Sequence, residues 1–194
     1  MPLFYRLVQS VLRVLVKIVF RLEVVGGKNL PRKGPAIICS NHMSVLDPVI
    51  VSCVVDPQVN FMAKEELFEI PLFSILIRKL GAVPVKRGGA DRKALKAALE
   101  KLEQEGVFGL FPEGTRNKEK DKTREPLKGV GFIAAKSRAT VIPVTIRGNY
   151  IPFKKMKVIV HEPMIYHKNI YEKKYEDPVQ GFTREIMEFI YKDL

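Results

Sequence analysis

Short runs rich in Val, Ile and Phe recur from residue 20 onward, separated by stretches in which apolar positions return every three or four residues. The runs at 20–25, 36–40, 59–63, 82–85, 107–111, 140–147 and 157–161 predict seven strands, because β-branched and aromatic side chains suit a pleated surface. Between the fourth and fifth runs, residues 91–106 carry a full set of helix signals. Asp91 stands as N-cap, Leu95, Leu99 and Leu102 share one face, and Gly106 marks the exit. Shorter helices are expected over 72–80 and 130–137. A last one opens on Asp177, with Pro178 in its first turn, and turns Phe182, Ile186, Phe189 and Ile190 inward. This alternation predicts an α/β fold: a mixed, largely parallel sheet of about seven strands covered by helices, with a hairpin around residues 148–155. The polar stretch 117–129 reads as a solvated loop.

The first 22 residues follow a different pattern. Wound as a helix, they gather Arg6, Arg13, Lys17 and Arg21, with Gln9 and Ser10, into one sector. Leu3, Phe4, Leu7, Val8, Val11, Leu12, Leu15, Ile18 and Val19 cover the rest. A spanning helix needs about 20 nearly uncharged residues, which the four cations forbid, and no small-residue cleavage site follows. Two arrangements fit. In one the helix lies in the plane of a membrane, apolar side among acyl chains and cations toward anionic headgroups. In the other it packs on the protein's own core and leaves a solvated basic edge. The expected organisation is an amphipathic segment over 1–22 and a single α/β domain over 23–194.

Composition narrows the field of partners. At 194 residues, 46% hydrophobic and 28% charged, the chain is neither disordered nor polytopic in character. Its 33 Lys and Arg against 21 Asp and Glu leave +12, a surplus that suits phosphate, nucleic acid, acidic protein or lipid headgroups. Nucleic acid is the poorest fit, because the cations are scattered, no recognition motif is present and Trp is absent. The two cysteines, Cys39 and Cys53, sit inside apolar runs and read as buried thiols.

Candidate chemistry clusters where apolar runs end. Asn41, His42 and Asp47 follow the run 36–40, so an imidazole stands at the end of a strand, where α/β proteins place their sites. On a regular helix His42 and Asp47 would diverge by about 140°; they meet only if a turn over 41–44 folds the ring back. A carboxylate on one ring nitrogen fixes the tautomer and frees the other nitrogen to take a proton. The alternative is a surface His beside a helix-capping Asp. After the run 107–111 come Glu113, Gly114, Thr115 and Arg116. Gly114 allows a tight backbone, Thr115 offers donors and Arg116 a planar fork for phosphate oxygens. Glu113 either orients Arg116 or bonds a substrate hydroxyl; a plain surface turn is the alternative. No metal is implied, since His42, His161 and His167 lack ligand spacing with the cysteines.

Taken together, these motifs resemble those of the glycerolipid acyltransferases of the 1-acyl-glycerol-3-phosphate acyltransferase type. His42 and Asp47 match the family's His-x4-Asp, preceded by Asn41, and Glu113 to Arg116 match its Glu-Gly-Thr-Arg block. Lys64, Glu65, Glu66 and Leu67, with Ile70 and Pro71, then Gly81 and Val85, Lys86 and Arg87, resemble its substrate-binding stretch; residues 141–144 resemble its fourth block. The likeness runs from about residue 20 to 165, in the family's order. It implies transfer of an acyl group from coenzyme A or acyl carrier protein, as co-substrate, to the sn-2 hydroxyl of lysophosphatidic acid. No bound cofactor is implied; another lyso-lipid acceptor is the rival reading. By the same likeness His42 acts as base and Asp47 as its support. Arg116, Arg87 and Lys86, with Glu113, Gly114 and Thr115, hold the acceptor's phosphate end. Lys64 or backbone N–H groups of the His42 turn face the oxyanion. A monotopic place on the cytoplasmic face of the cell membrane, against anionic lipid, is expected too.

Overall fold

Strand β2 (Ala36–Ser40) is buried along its whole length, which requires both faces of the sheet to be covered. The computed structural model describes residues 1–86, 91–119, 121 and 124–194. Among these, β2 is joined by β1 (Glu23–Val25), β3 (Val59–Lys64), β4 (Val83–Val85), β5 (Val107–Leu110), β6 (Thr140–Arg147) and β7 (Lys157–Val160). They form one sheet in the order β1-β7-β6-β2-β5-β3-β4. From β6 to β4 neighbours pair in parallel; only β6 and β7 are antiparallel, with the expected hairpin between them. Every expected strand is present. The first is shortened, because Phe20 caps the preceding helix and pairing starts at Glu23.

Side-chain alternation divides the core in two. Ile38, Ile142, Val144 and Ile146 face one layer, built on α1 (Leu3–Val19) and α2 (Asp47–Val54). Ile37, Cys39, Phe108 and Val141 face the other, built on α4 (Arg92–Glu103), α5 (Gly129–Ser137) and α7 (Pro178–Lys192). A short α3 (Phe73–Lys79) links β3 to β4, and α6 (Lys168–Lys174) precedes α7. Asp91 caps α4 by accepting from Lys93 and Ala94 N–H, and Asp177 caps α7 in the same manner. In α4 the deepest stripe is Ala94, Ala98 and Leu102, with Leu95 and Leu99 flanking it. In α7, Phe182, Ile186 and Ile190 are fully buried, but Phe189 lies on the flank and is 47% exposed.

Helix α1 turns its narrow side inward. Tyr5, Gln9 and Val16 are buried, with Leu12 against the core beside them. Gln9 donates to the carbonyls of Ser52 and Val55 at 2.8 Å, and Arg13 to those of Cys53 and Val55 at 2.7 and 3.0 Å. Ser52 and Cys53 lie in the last turn of α2 and Val55 caps it, so these carbonyls have no partner within the helix, and a cation there also meets the negative end of the helix dipole. Arg13 is therefore not part of an outward cationic stripe. Leu3, Leu7, Val11, Val14, Leu15 and Ile18 leave half or more of their surface open on the opposite side. No helix among the described residues is long and apolar enough to cross a membrane.

Candidate active site

Because β2, β5, β3 and β4 run in parallel, their C-terminal ends share one edge. The chain leaves β2 through Asn41, whose fully buried amide exchanges two hydrogen bonds, of 2.8 and 3.0 Å, with the backbone of Ile146 in β6. That anchor turns the chain sharply at His42, and α2 does not begin until Asp47, so the helical 140° separation never arises. Instead Nδ1 of His42 lies 2.8 Å from Oδ2 of Asp47. The same oxygen accepts from the N–H groups of Met43 and Ser44 at 2.7 and 2.8 Å. Tyr150, from the β6–β7 hairpin, donates its hydroxyl to Oδ1 of Asp47. Asp47 is 0% exposed. A carboxylate only accepts, so Nδ1 carries the proton of this pair and Nε2 holds the free lone pair.

The turn after β5 grips the same histidine. Glu113 accepts from His42 N–H at 2.8 Å, and Asn117 N–H donates to the His42 carbonyl at 2.6 Å, so the peptide is clamped on both sides. Glu113, expected beside the phosphate, is buried and also accepts from Tyr191 at 2.7 Å and Asn117 at 3.4 Å. Its carboxylate lies beneath the His42 peptide and away from solvent. Burial pushes its pKa up, opposed by these donors. Under the imidazole lies an aromatic column: His42 stacks on Phe111 at 4.3 Å between centroids, and Phe111 on Phe61 at 5.6 Å. Gly109 makes the column possible, since a Cβ there would stand 2.1 Å from the Phe61 ring.

Of the other expected residues, Gly114 adopts φ 68°, and Thr115 accepts from the Arg124 guanidinium at 2.8 Å. Arg116 is exposed. Lys64 ends β3 and pairs with Glu66 at 2.7 Å; Lys86 follows β4 and lies 3.6 Å from Glu65. With strands about 4.8 Å apart, Lys64 and Lys86 stand roughly two and three strands from the end of β2 along the edge. Arg87 lies outside the described residues. Of the backbone donors expected for an oxyanion, those of His42, Met43 and Ser44 are all engaged by carboxylates. Cys39 is wholly buried and its thiol is pushed well up by desolvation, which disfavours the thiolate a nucleophile requires. Sequence reasoning missed Tyr150, Tyr191, Asn117 and the Phe61–Phe111 stack; only Asn117, next to the Glu-Gly-Thr-Arg block, lay within a readable motif.

Comparison with known proteins agrees with this architecture. Over 167 residues the chain is 28% identical to the 1-acyl-sn-glycerol-3-phosphate acyltransferase of Bacillus subtilis, covering 82% of each protein. It is 34% identical over 132 residues to the protein of the same name from Borreliella burgdorferi, covering 65% of this chain and 51% of that one. The crystal structure of the LPA acyltransferase PlsC from Thermotoga maritima superposes with a TM-score of 0.71 at 28% identity, covering 97% of this chain and 80% of that one. The family model described as Acyltransferase matches residues 21–147, which include His42, Asp47 and the Glu113–Arg116 turn, and the chain belongs to that family of O-acyltransferases.

Proposed function

We propose that the protein transfers a fatty acyl group from a thioester of coenzyme A or acyl carrier protein to the sn-2 hydroxyl of 1-acyl-glycerol-3-phosphate, giving phosphatidic acid. The observation that carries this reading is the His42–Asp47 contact at a sheet edge on which Arg116 also stands open. Nε2 of His42 takes the hydroxyl proton as the oxygen attacks the thioester carbonyl. The new C–O bond forms, the tetrahedral centre collapses, the C–S bond breaks, and the departing sulfur receives the proton from the imidazolium. Asp47 holds the ring and offsets its transient charge; general-base assistance of this kind contributes about 10²- to 10⁴-fold in rate.

Arg116 anchors the acceptor's phosphate, with Lys86 further along the rim. The Lys64–Glu66 and Lys86–Glu65 pairs are exposed, and such pairs contribute about 0–1 kcal/mol, so a dianionic phosphate displaces them easily. Lys64 is then free to face the oxyanion, a role left open by the occupied backbone donors of the His42 turn. The exposed apolar side of α1 rests in the interfacial region of an anionic membrane, on its cytoplasmic face, so the acceptor reaches the edge with its acyl tail still in lipid.

The test is an acceptor panel. Purified protein is given labelled acyl-CoA or acyl carrier protein with lyso-lipids that carry or lack a free phosphate monoester. Preference for the monoester, and a raised KM for it in Arg116→Ala that Arg116→Lys only partly restores, are expected because the bidentate fork is lost. Equal use of phosphate-free acceptors, or an unchanged KM, contradicts the assignment.

A further inference from the structure

Tyr150 belongs to none of the motifs above, yet its hydroxyl is bonded to the buried Asp47. It reaches that position from an unusual backbone: φ is 54°, a left-handed conformation that a bulky aromatic residue adopts only where its surroundings over-determine it. Those surroundings can be named. The Tyr150 ring meets the edge of Phe20 at 6.2 Å and 74°, and Phe20 is the residue that caps α1. The hairpin is laced to the same helix end: Phe153 N–H donates to the carbonyl of Val19, Met156 N–H to that of Phe20, and Glu23 N–H returns to Met156.

We propose that Tyr150 is a positioning residue of the acyltransferase dyad, and that Phe20, at the end of α1, holds its hydroxyl on Asp47. The reasoning follows the bonds. Oδ2 of Asp47 is fully occupied by His42 and two backbone N–H groups, which fix one oxygen but leave the carboxylate plane free to rock about it. The Tyr150 hydroxyl fixes the second oxygen and with it the direction from which Asp47 holds Nδ1. Phe20 in turn blocks the ring from swinging away. The seat of α1 on the protein body and the aim of the imidazole are thereby mechanically linked. This inference rests on His42 being the base, as proposed above.

The experiment is a double-mutant cycle on acyl transfer with Tyr150→Phe and Phe20→Leu, read as kcat and KM separately, alongside the low-field proton resonance of His42 Nδ1–H and the unfolding midpoint. Tyr150→Phe keeps the ring and its packing. It is expected to lower kcat about ten-fold, the scale of one hydrogen bond to a charged group, with KM unchanged, the resonance displaced, and the unfolding midpoint lowered because a buried carboxylate oxygen loses its donor. Phe20→Leu should lower kcat in the wild-type background and do nothing further in Tyr150→Phe. A Tyr150→Phe enzyme with wild-type kcat and an unmoved resonance overturns the role of Tyr150 alone. A Phe20→Leu cost that is the same in both backgrounds overturns the link to α1. A wild-type protein that transfers no acyl group overturns the reading of His42 and this inference with it.

Discussion

The imidazole of His42 is held from three directions: Asp47 at its edge, Phe111 against its face and Glu113 beneath its peptide. Each hold depends on a residue that does no chemistry itself, and Gly109 is the most exacting. Gly109→Ala places a methyl group inside the space of the Phe61 ring, which pushes on Phe111 and through it on His42. Overpacking of this kind costs about 1–3 kcal/mol. Denaturant unfolding should show that loss together with a lower kcat, and Phe61→Leu in the same chain should restore part of both; an unaffected Gly109→Ala enzyme would show that the column does not steer the ring. At this scale the His42–Asp47 contact was legible in the sequence but its supports were not. His42 and Asp47 are five residues apart and legible as a motif. Tyr150 meets Asp47 across 103 residues, and no spacing rule reaches that far. Glu113 was legible as a motif member but its surroundings were not: whether a carboxylate faces solvent or lies beneath a turn depends on which strand end packs over it.

Among the elements, the strands were the most legible, because β-branched runs bounded by turn residues have few other uses in a soluble sheet. Helix α2 was hidden by the same rule. Its sequence, residues 47–54, is mostly apolar and half β-branched, so it carries no polar stripe by which a helix would announce itself. The periodicity of α7 puts Phe189 beside the Ile186–Ile190 stripe, but the buried stripe is narrower and leaves Phe189 on its flank. The end of α7 is also tied to the sheet by chemistry. Thr145 of β6 donates to the Ile190 carbonyl at 2.7 Å and lies 2.9 Å from Nε2 of His161, just after β7, with Asp193 3.8 Å from the other ring nitrogen. Burial depresses the pKa of His161 below the usual 6.5, against the pull of Asp193. A depressed folded-state pKa means that its contribution is present above pH 6.5 and lost as pH falls through the folded value. Thermal unfolding of wild type and His161→Gln should therefore converge as pH is lowered from neutrality. A gap that stays constant or widens would contradict this.

For the whole molecule, the unusual feature is a first helix that shows solvent its wider apolar side while using Gln9 and Arg13 to finish another helix. Of the two arrangements open at the sequence level, packing on the body is present, and a broad apolar arc of α1 remains exposed. The amphipathic pattern was legible; which polar residues turn inward was not, since that depends on the orphan carbonyls of α2. Removing α1 would disturb the fold and any membrane contact together. Leu7→Glu with Ile18→Glu separates them, because both side chains are 60% exposed. The pair should abolish flotation with anionic vesicles and leave the unfolding midpoint within the small range typical of surface substitutions. Flotation that survives would place the contact on another surface.

The central claim is that His42, aimed by Asp47, removes the proton from a lipid-phosphate alcohol. Its most direct measurement is the rate at which wild type and His42→Ala convert 1-acyl-glycerol-3-phosphate and an acyl thioester to phosphatidic acid, with the product identified by mass and the fold of the variant checked by circular dichroism. The expected result is phosphatidic acid from the wild type and a loss of about 10²-fold or more in a folded His42→Ala variant. A folded variant that makes phosphatidic acid at close to the wild-type rate would contradict the account.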